Sequence, residues 1–371
     1  MSTNPEARAW LRVSAEALLE NFAVLRSAVG SDVRVIPMVK ADAYGLGMAE
    51  VVRTLRSANP WGWGVATLAE GLRIREMGLD EPVVVFSPLG EEEVDAALRV
   101  GLQLSVSSLD ALEGVIAASR RSGSSAKIHV DVDTGMGRTG FDWRAAREWM
   151  PRVVAAARGG IDWIGCFTHL HSAEGNEASA REQWARFEEA LGVMREAPPS
   201  LVIHVLNSAG SFSVPEYARG AIRPGIFLYG GAVGPGHPQP AAVVSLHARV
   251  CLVRSVVEGT TVGYGATYSA SGPERWATLA VGYGDGLPRA LGNQGSALVQ
   301  GRRVPIIGRI SMDLTVVDIS DLSGVRVGDI ATLVGPEGGE EITLDEVAEL
   351  AGTISYEILT GFTPRLPRIW V

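Results

Sequence analysis

Apolar and polar residues follow one pattern up to about residue 240 and a different pattern after it. In the first part, short apolar runs typical of buried strands alternate with amphipathic helical segments, which predicts βαβ units and a parallel sheet. The predicted helices cover 16–28, 46–55, 69–77, 91–100, 109–121, 143–158 and 178–195, and the predicted strands 33–39, 62–66, 82–86, 103–106, 127–132, 163–168, 201–206 and 221–228. Eight strands favour an α/β fold with a TIM-type (β/α)8 barrel over residues 14–240.

The second part is rich in β-type runs. These runs lie at 243–257, 276–283, 297–299, 304–307, 314–318 and 330–333 and are separated by glycine and proline turns. They predict a mostly antiparallel β domain over residues 241–371. The segment 233–240 contains three prolines and two glycines and is the predicted linker. We expect residues 1–13 to contribute a strand to the β domain.

Composition narrows the classes of protein. A chain of 371 residues with 46% hydrophobic content can bury a sizeable core, which fits two domains. Cys166 and Cys251 are too few for a disulfide framework, and no targeting pattern opens the chain, so we expect a cytoplasmic location. The absence of an apolar run of membrane-spanning length and a net charge of −9 argue against membrane and nucleic-acid partners. A small-molecule partner is expected, and no metal.

Lys40 is the residue with the clearest chemical potential. It follows the predicted strand 33–39 and precedes a turn that contains Gly45. The carboxyl ends of barrel strands form the catalytic face, where a desolvated lysine can lose its proton and attack a carbonyl group. A solvated lysine in a turn is the alternative interpretation, because most lysines are exposed.

Seven motifs, in this order, resemble the signature of the bacterial alanine racemases. They are VKADAYG (39–45), DTGMGR (133–138), TH (168–169), NS (207–208), RPG (223–225), YGATY (264–268) and GRISMD (308–313). Each motif alone is weak, but together they extend over both predicted domains. The resemblance implies pyridoxal 5′-phosphate attached to Lys40, a barrel joined to a β domain, and a homodimer with shared active sites.

Racemisation requires a proton to leave one face of the substrate Cα and another to arrive on the opposite face. The resemblance implies Lys40 as one base and Tyr264 of the partner subunit as the other. A tyrosine ordinarily titrates near ~10 and needs cationic or hydrogen-bonding neighbours to act at neutral pH. By resemblance, His169 is such a neighbour, and Asp313 supports Tyr264 or Met312. Without the resemblance, a strand tyrosine and a core histidine would be the simpler interpretations.

The resemblance also implies how the cofactor and substrate are held. Arg223 would face the pyridine nitrogen and, because arginine cannot accept a proton, would keep that nitrogen neutral. His204 would support Arg223, or would be an ordinary core histidine. Arg138 and the backbone of Met312 would bind the substrate carboxylate. The remaining cofactor contacts implied by the resemblance are Tyr44, Asn207, Ser208, Gly225, Ile226 and Tyr356.

Asp131 is the main departure from the family pattern. Many members have at this position a lysine that becomes carbamylated and orients the arginine corresponding to Arg138. Here a carboxylate is encoded directly, on the polar face of the strand 127–133. We hypothesise that Asp131 replaces the carbamate electrostatically. The alternative is that it is one polar residue of the barrel interior.

Three further departures concern selectivity: Leu46 stands where histidine is usual, His171 where a small residue is common, and Ser311 where cysteine is frequent. Tyr356 resembles the tyrosine that narrows the pocket, which favours a small amino acid. Alanine is therefore the predicted substrate, with D-alanine supplied for peptidoglycan. Serine is the alternative, because an apolar pocket rejects an added hydroxyl only weakly and His171 could bind it.

Two further functions remain open at this point. One is an amino-acid decarboxylase of the same barrel type; Arg223 and Tyr264 argue against it, because related decarboxylases have a carboxylate facing the pyridine nitrogen. The other is a pyridoxal-phosphate carrier without turnover. Such carriers resemble a barrel alone, so the predicted β domain argues against that class.

Overall fold

The computed structural model describes residues 7–193, 197–198 and 200–371. The first strand is β1 (Ala9–Val13). The strands that follow it form a parallel sheet that closes on itself. The sheet consists of β2 Arg34–Val35, β3 Trp63–Val65, β4 Val83–Val85, β5 Gln103–Val106, β6 Lys127–Asp133, β8 Asp162–Phe167, β9 Val202–His204 and β10 Ala221–Ile222, and a short β7 Phe141–Asp142 pairs with β6. The strand order is β2-β10-β9-β8-β6-β5-β4-β3. A parallel bridge from Met38 to Gly64 brings the two ends of this order together. The predicted barrel is confirmed.

Helices lie between the barrel strands. They are α1 Ala15–Val29, α2 Lys40–Tyr44, α3 Met48–Arg56, α4 Leu68–Glu76, α5 Glu91–Arg99, α6 Leu109–Ser122, α7 Ala146–Arg158, α8 Glu177–Gly192 and α9 Gly210–Ser213, with 3₁₀ turns at Trp143–Ala145, Pro215–Tyr217 and Ile226–Tyr229. Side-chain caps fix several starts: Ser14, Thr67 and Ser108 each accept a hydrogen bond from a backbone N–H of the first helical turn. Residues 194–195 of the predicted helix 178–195 lie outside the described residues.

The first barrel strand is shorter than predicted. The prediction covered 33–39, whereas the regular strand ends at Val35. Pro37 has no N–H to donate, which interrupts the ladder. Pairing nevertheless continues at separate positions, because the N–H groups of Ile36 and Val39 donate to Ile222 and Gly64 at 2.9 and 2.8 Å. Lys40 therefore still leaves the sheet at the carboxyl end of its strand.

The second domain is a mostly antiparallel sheet, as predicted. Its elements are β11 Val244–Val256, β12 Thr261–Val262, β13 Tyr268–Ser269, β14 Glu274–Leu279, β15 Ser296–Val299, β16 Arg302–Ile307, β17 Thr315–Asp318, β18 Ile330–Glu337, β19 Glu340–Ile342, α10 Leu344–Ala351, α11 Ser355–Gly361 and β20 Arg368–Trp370, with 3₁₀ turns at Tyr283–Asp285 and Arg289–Leu291. The strand β1 pairs antiparallel with β11 and parallel with β20. Residues 1–6 of the segment expected to join this domain lie outside the described residues.

The β domain also contacts the turn that contains Lys40. The guanidinium of Arg368 donates to the carbonyl of Gly45 at 2.8 Å from Nη2 and at 3.0 Å from Nε. The helix α11 packs against α2, so the end of the chain covers one side of the barrel mouth. Within the described ranges, no helix combines the length and the apolar character that a membrane crossing requires.

Candidate active site

A cavity of about 890 Å³ opens at the carboxyl ends of the barrel strands. Its wall includes most of the side chains singled out from the sequence. They are contributed by β6, by the segments after β2, β6, β8, β9 and β10, and by α11. The predicted residues that line it are Lys40, Tyr44, Asp131, Arg138, His169, Asn207, Ser208, Arg223, Gly225, Ile226 and Tyr356. Side chains as far apart in the sequence as Lys40 and Tyr356 thus meet in one cavity.

Lys40 begins a left-handed helical turn. The four residues after it, 41–44, have φ angles between 52° and 56° although none of them is glycine. Such a conformation costs about 1–2 kcal/mol per residue and persists only where neighbours over-determine it. Glu70 accepts a hydrogen bond from the Ala41 N–H at 2.7 Å, and Asp42 accepts from the Met48 N–H at 2.9 Å and from Arg73 at 2.6 Å. These carboxylates stabilise the turn that presents Lys40.

Glu70 was missed by the sequence interpretation. A usable signal was present, because Thr67 and Glu70 have the spacing of a capping box at the start of α4. The second carboxylate oxygen of Glu70 accepts from the N–H groups of Ala66 and Thr67 at 2.8 and 3.1 Å. One side chain thus joins the start of α4 to the Lys40 turn.

The surroundings of Lys40 favour the neutral form of its amine. Burial lowers the pKa of its amine, the charges of Arg138 and Arg223 lower it further, and Glu70 opposes them. A lower pKa raises the fraction of neutral amine at neutral pH. The position therefore suits a lysine that acts as a nucleophile or a base.

Arg223 is buried among neutral acceptors. Its Nη2 donates to the Thr168 carbonyl at 2.8 Å, and its Nη1 donates to the carbonyl of His204 and, at 3.1 Å, to the Nδ1 of the same residue. Burial is the main reason that the pKa of Arg223 falls to about 10, which still leaves the guanidinium charged at neutral pH. The structure thus brings His204 into contact with Arg223, as the sequence interpretation supposed.

His169 lies beside this cation. Its Nδ1 is 3.5 Å from Nη2 of Arg223. Burial, followed by the charges of Arg223, Arg138 and Lys40, lowers the pKa of His169 to about 3. The imidazole is therefore neutral at physiological pH and can serve a neighbouring phenol as a hydrogen-bonding group, not as a cation.

Asp131 and Arg138 also line the cavity. The Asp131 carboxylate accepts a hydrogen bond from the Thr139 hydroxyl at 2.8 Å. Burial raises the pKa of Asp131 to about 6, against the effect of Thr139 and of the charges of Arg223 and Arg138. Asp133 accepts instead from the backbone N–H groups of the glycine loop, at 2.9 Å from Gly135. Thr139, the residue after Arg138, was not singled out from the sequence.

Hydroxyl groups and a tight turn line another part of the cavity. Ser208 Oγ accepts from the Gly225 N–H at 2.9 Å. Gly225 permits a close approach of Tyr44, because a Cβ at this position would lie 2.2 Å from the Tyr44 hydroxyl oxygen. The Tyr44 ring stacks on Tyr229 and lies 5.9 Å from the Tyr356 ring. Side chains and turns of this kind are suited to binding a phosphate group.

Tyr264, Met312 and Asp313 lie outside this cavity. Tyr264 is 67% exposed and Met312 is 52% exposed on the β domain. Asp313 forms an ion pair with Arg365 at 2.6 Å, which lowers the pKa of its carboxyl group. Three of the predicted site residues are therefore presented on the surface of the same chain that encloses the others.

A closed parallel barrel with a half-buried lysine of lowered pKa at its mouth, joined to an antiparallel β domain, is typical of enzymes that act through a lysine amine. The family model described as "Alanine racemase, N-terminal domain" matches residues 13–233, and that described as "Alanine racemase, C-terminal domain" matches residues 243–370. The chain belongs to the alanine racemase family.

Individual relatives agree over almost the whole chain. It is 38% identical to an alanine racemase of Cutibacterium acnes, covering 97% of this chain and 96% of the relative. Its fold is similar to the alanine racemase of a D-cycloserine-producing Streptomyces lavendulae, with a TM-score of 0.92, 30% identity and 98% and 97% of the two chains covered. The alanine racemase of Bartonella henselae, solved with covalently bound pyridoxal phosphate, superposes with a TM-score of 0.90 at 28% identity and covers 98% of this chain and 100% of its own.

Proposed function

We propose that this chain interconverts L- and D-alanine with pyridoxal phosphate held on Lys40. The observation that carries the proposal is the cavity in which Lys40, with its lowered pKa, faces Arg138, His169 and Arg223. Family membership over both domains supports the same reaction.

The residues of the cavity fit this cofactor. A lysine with a lowered pKa is the expected anchor for an aldehyde, and the hydroxyls of Tyr44, Ser208 and Tyr356 are suitable phosphate donors. The glycine at 225 leaves room for the close approach of Tyr44. When bound, the cofactor supplies the electron sink that lets the substrate α-proton leave.

Arg223 has a role that follows from its contacts. It can only donate hydrogen bonds, and its described partners are carbonyl oxygens and a neutral imidazole. It therefore stays cationic and cannot give up a proton to a ring nitrogen at neutral pH. Such a partner would restrain the electron sink and limit side reactions, and it argues against the decarboxylase function.

Proton transfer requires groups on both faces of the substrate. We assign one face to the amine of Lys40. We assign the other face to Tyr264 of a second copy, because Tyr264 is exposed on this chain and lies outside its own cavity. Arg138 would bind the substrate carboxylate with its forked donors, aided by the backbone of Met312 of the partner subunit. This arrangement makes a homodimer part of the proposal, with Asp313 supporting the Met312 loop.

We propose alanine rather than serine as the substrate because of the contacts that His171 makes in the cavity. His171, which could have bound a serine hydroxyl, is already engaged, with Nδ1 at 2.7 Å from Ser172 and Nε2 at 3.3 Å from Ser179. We therefore keep serine only as a competing substrate in the test. The carrier function conflicts with the presence of the C-terminal racemase domain. We also propose that the protein acts in the cytoplasm and supplies D-alanine for peptidoglycan.

The deciding experiment is incubation of the cofactor-loaded protein in heavy water with L-alanine and, separately, with L-serine. Exchange of the α-proton with matching loss of optical activity is the expected result, faster for alanine. Exchange of the α-proton without loss of optical activity would indicate that only one of the two bases acts. Absence of exchange with both amino acids would rule out the proposed function, and release of carbon dioxide would indicate a decarboxylase.

A further inference from the structure

A row of buried polar side chains extends from Arg223 into the barrel interior. Nη1 of Arg223 lies 3.1 Å from His204 Nδ1, His204 Nε2 lies 2.8 Å from His129 Nδ1, and His129 Nε2 lies 2.7 Å from Gln103 Oε1. Each of the four residues is at most 5% exposed. We call these four residues the Arg223–Gln103 relay.

The strand arrangement of the barrel brings His129 and His204 into contact. His129 lies on β6 and His204 on β9, and β8 runs between these strands. The residue of β8 at this level is Gly165, where a Cβ would lie 2.2 Å from His129 Nδ1. Any other residue at position 165 would displace the ring. The contact is therefore a specific feature of this strand arrangement.

Arg223, the first residue of the relay, determines which nitrogen of each histidine carries the proton. We call this arrangement the proton order. Arginine only donates, so His204 must accept at Nδ1 and carry its proton on Nε2. That proton is donated to His129 Nδ1, which places the proton of His129 on Nε2, facing the amide oxygen of Gln103. The opposite order would point an N–H of His204 at an N–H of Arg223. One direction alone satisfies every contact.

Burial keeps this order in place. It lowers the pKa of His129 to about 3 and the pKa of His204 well below its usual range, and the charge of Arg223 acts in the same direction on both. An imidazolium has no acceptor nitrogen and would break the relay at once. Gln103 ends the row with a neutral oxygen that does not titrate.

We propose that His129 and Gln103 are positioning residues that act through His204 to hold the guanidinium of Arg223 in its orientation in the cavity. The relay makes a lone pair of His204 available to Arg223, and Gln103 accepts from the Nε2–H of His129. The kinetic part of this proposal rests on the proposed racemase function. The proton order does not.

The proton order is tested by ¹⁵N spectra of the full-length, histidine-labelled holoenzyme, with resonances assigned by single substitutions among its six histidines. We expect His129 and His204 to be neutral with the proton on Nε2, unchanged between about pH 5 and 9. A proton on Nδ1 of either residue, or an imidazolium in this range, would overturn the proposal even if the enzyme is fully active.

The role of the relay is tested by two substitutions at one position. His129→Phe keeps an aromatic ring but removes the acceptor, so we expect kcat for alanine to fall about 10-fold with KM nearly unchanged. His129→Asn places an amide oxygen where Nδ1 was, so kcat should recover although the side chain is smaller. An equal loss in both variants would identify a packing role and contradict the proposal, as would an unchanged kcat in His129→Phe.

A matched control comes from the β domain. His247 lies 2.9 Å from Thr332 and packs against Trp10, away from the cavity. His247→Phe should change thermal stability but not kcat. If the holoenzyme does not racemise alanine at all, the proposed function fails while the ¹⁵N spectra still decide the proton order.

Discussion

Burial determines the charge of the titratable side chains in this cavity more strongly than their neighbours do. It is the first cause of the lowered pKa of Lys40, the lowered pKa of His169 and the raised pKa of Asp131. Each shift favours the neutral form of its group. Arg223 remains charged, because its pKa falls only to about 10. The cavity thus combines a persistent cation with groups whose neutral forms are favoured by burial.

Asp131 gives a prediction for stability. Its folded pKa of about 6 exceeds the ordinary value of ~3.9, so the ionised carboxylate destabilises the folded state. This penalty is absent below about pH 4, grows as the pH rises, and is complete above the folded pKa. Asp131→Asn removes it, and the variant should be more stable than the parent at pH 8 by about 2–3 kcal/mol and nearly equal at pH 4.

Urea unfolding at a series of pH values checks this expectation. Asp32→Asn removes an exposed carboxylate and controls for the general effect of an aspartate-to-asparagine change on stability. A constant stability difference for Asp131→Asn would show that the carboxylate is not the titrating group. Substrate affinity of the same variant tests separately whether Asp131 replaces a carbamylated lysine beside Arg138.

Side chains at the ends of barrel strands could be identified from the sequence, but their hydrogen-bonding partners could not. Lys40 follows an apolar run, so its place at the barrel mouth follows from the pattern. Arg223 was identified only by its resemblance to a family motif, because the predicted strand 221–228 contained it, whereas the strand ends at Ile222. Gln103 and Thr139 have no local signal, because their hydrogen bonds depend on which strands become neighbours and where loops fold back. Partners chosen by tertiary structure are not encoded in a short window of sequence.

Among the elements, the turn 41–44 is the one most dependent on others. Four consecutive left-handed residues without glycine are unfavourable alone. The turn is stabilised by Glu70 from α4 and by Arg73, which pairs with Asp42. A sequence pattern does not predict this handedness, since it results from contacts with neighbouring elements. The short first strand before the turn has a local cause, because Pro37 has no N–H to donate.

Glu70→Ala should therefore loosen the cofactor site. The Ala41 N–H loses its acceptor, the turn relaxes, and Lys40 is less well placed. We expect the dissociation constant for pyridoxal phosphate to rise about 10-fold, with a lower Tm. The measurements are cofactor titration of the stripped protein and a thermal melt.

Glu93 provides the matched control for this change. It also caps a helix, α5, by accepting from the Gly90 N–H at 2.9 Å, at a different barrel loop. Glu93→Ala should lower Tm without changing cofactor affinity. Equal cofactor affinity in Glu70→Ala and the parent would show that the turn holds its shape without Glu70.

At the scale of the whole molecule, the two proposed proton-transfer groups are on different surfaces. Lys40 lines the cavity, whereas Tyr264 and Met312 are exposed on the β domain. Two loops that each expose a large side chain suit an interface with a second copy. The motifs revealed both groups, and the family resemblance implied that they come from different subunits. The residue pattern alone could not give their separation within one chain, which depends on the placement of the β domain.

A complementation experiment tests this separation directly. Lys40→Ala and Tyr264→Phe chains should each be inactive alone, because each lacks one proton-transfer group at every site. If sites are shared in a symmetric dimer, a mixed dimer contains one site with Lys40 from one chain and Tyr264 from the other. Unfolding and refolding the two chains together at equal amounts should then restore about a quarter of the parent activity. Chains refolded separately and then assayed together without exchange are the control. Failure to recover activity, with mixed dimers demonstrated by differently tagged chains, would place both groups within a single chain.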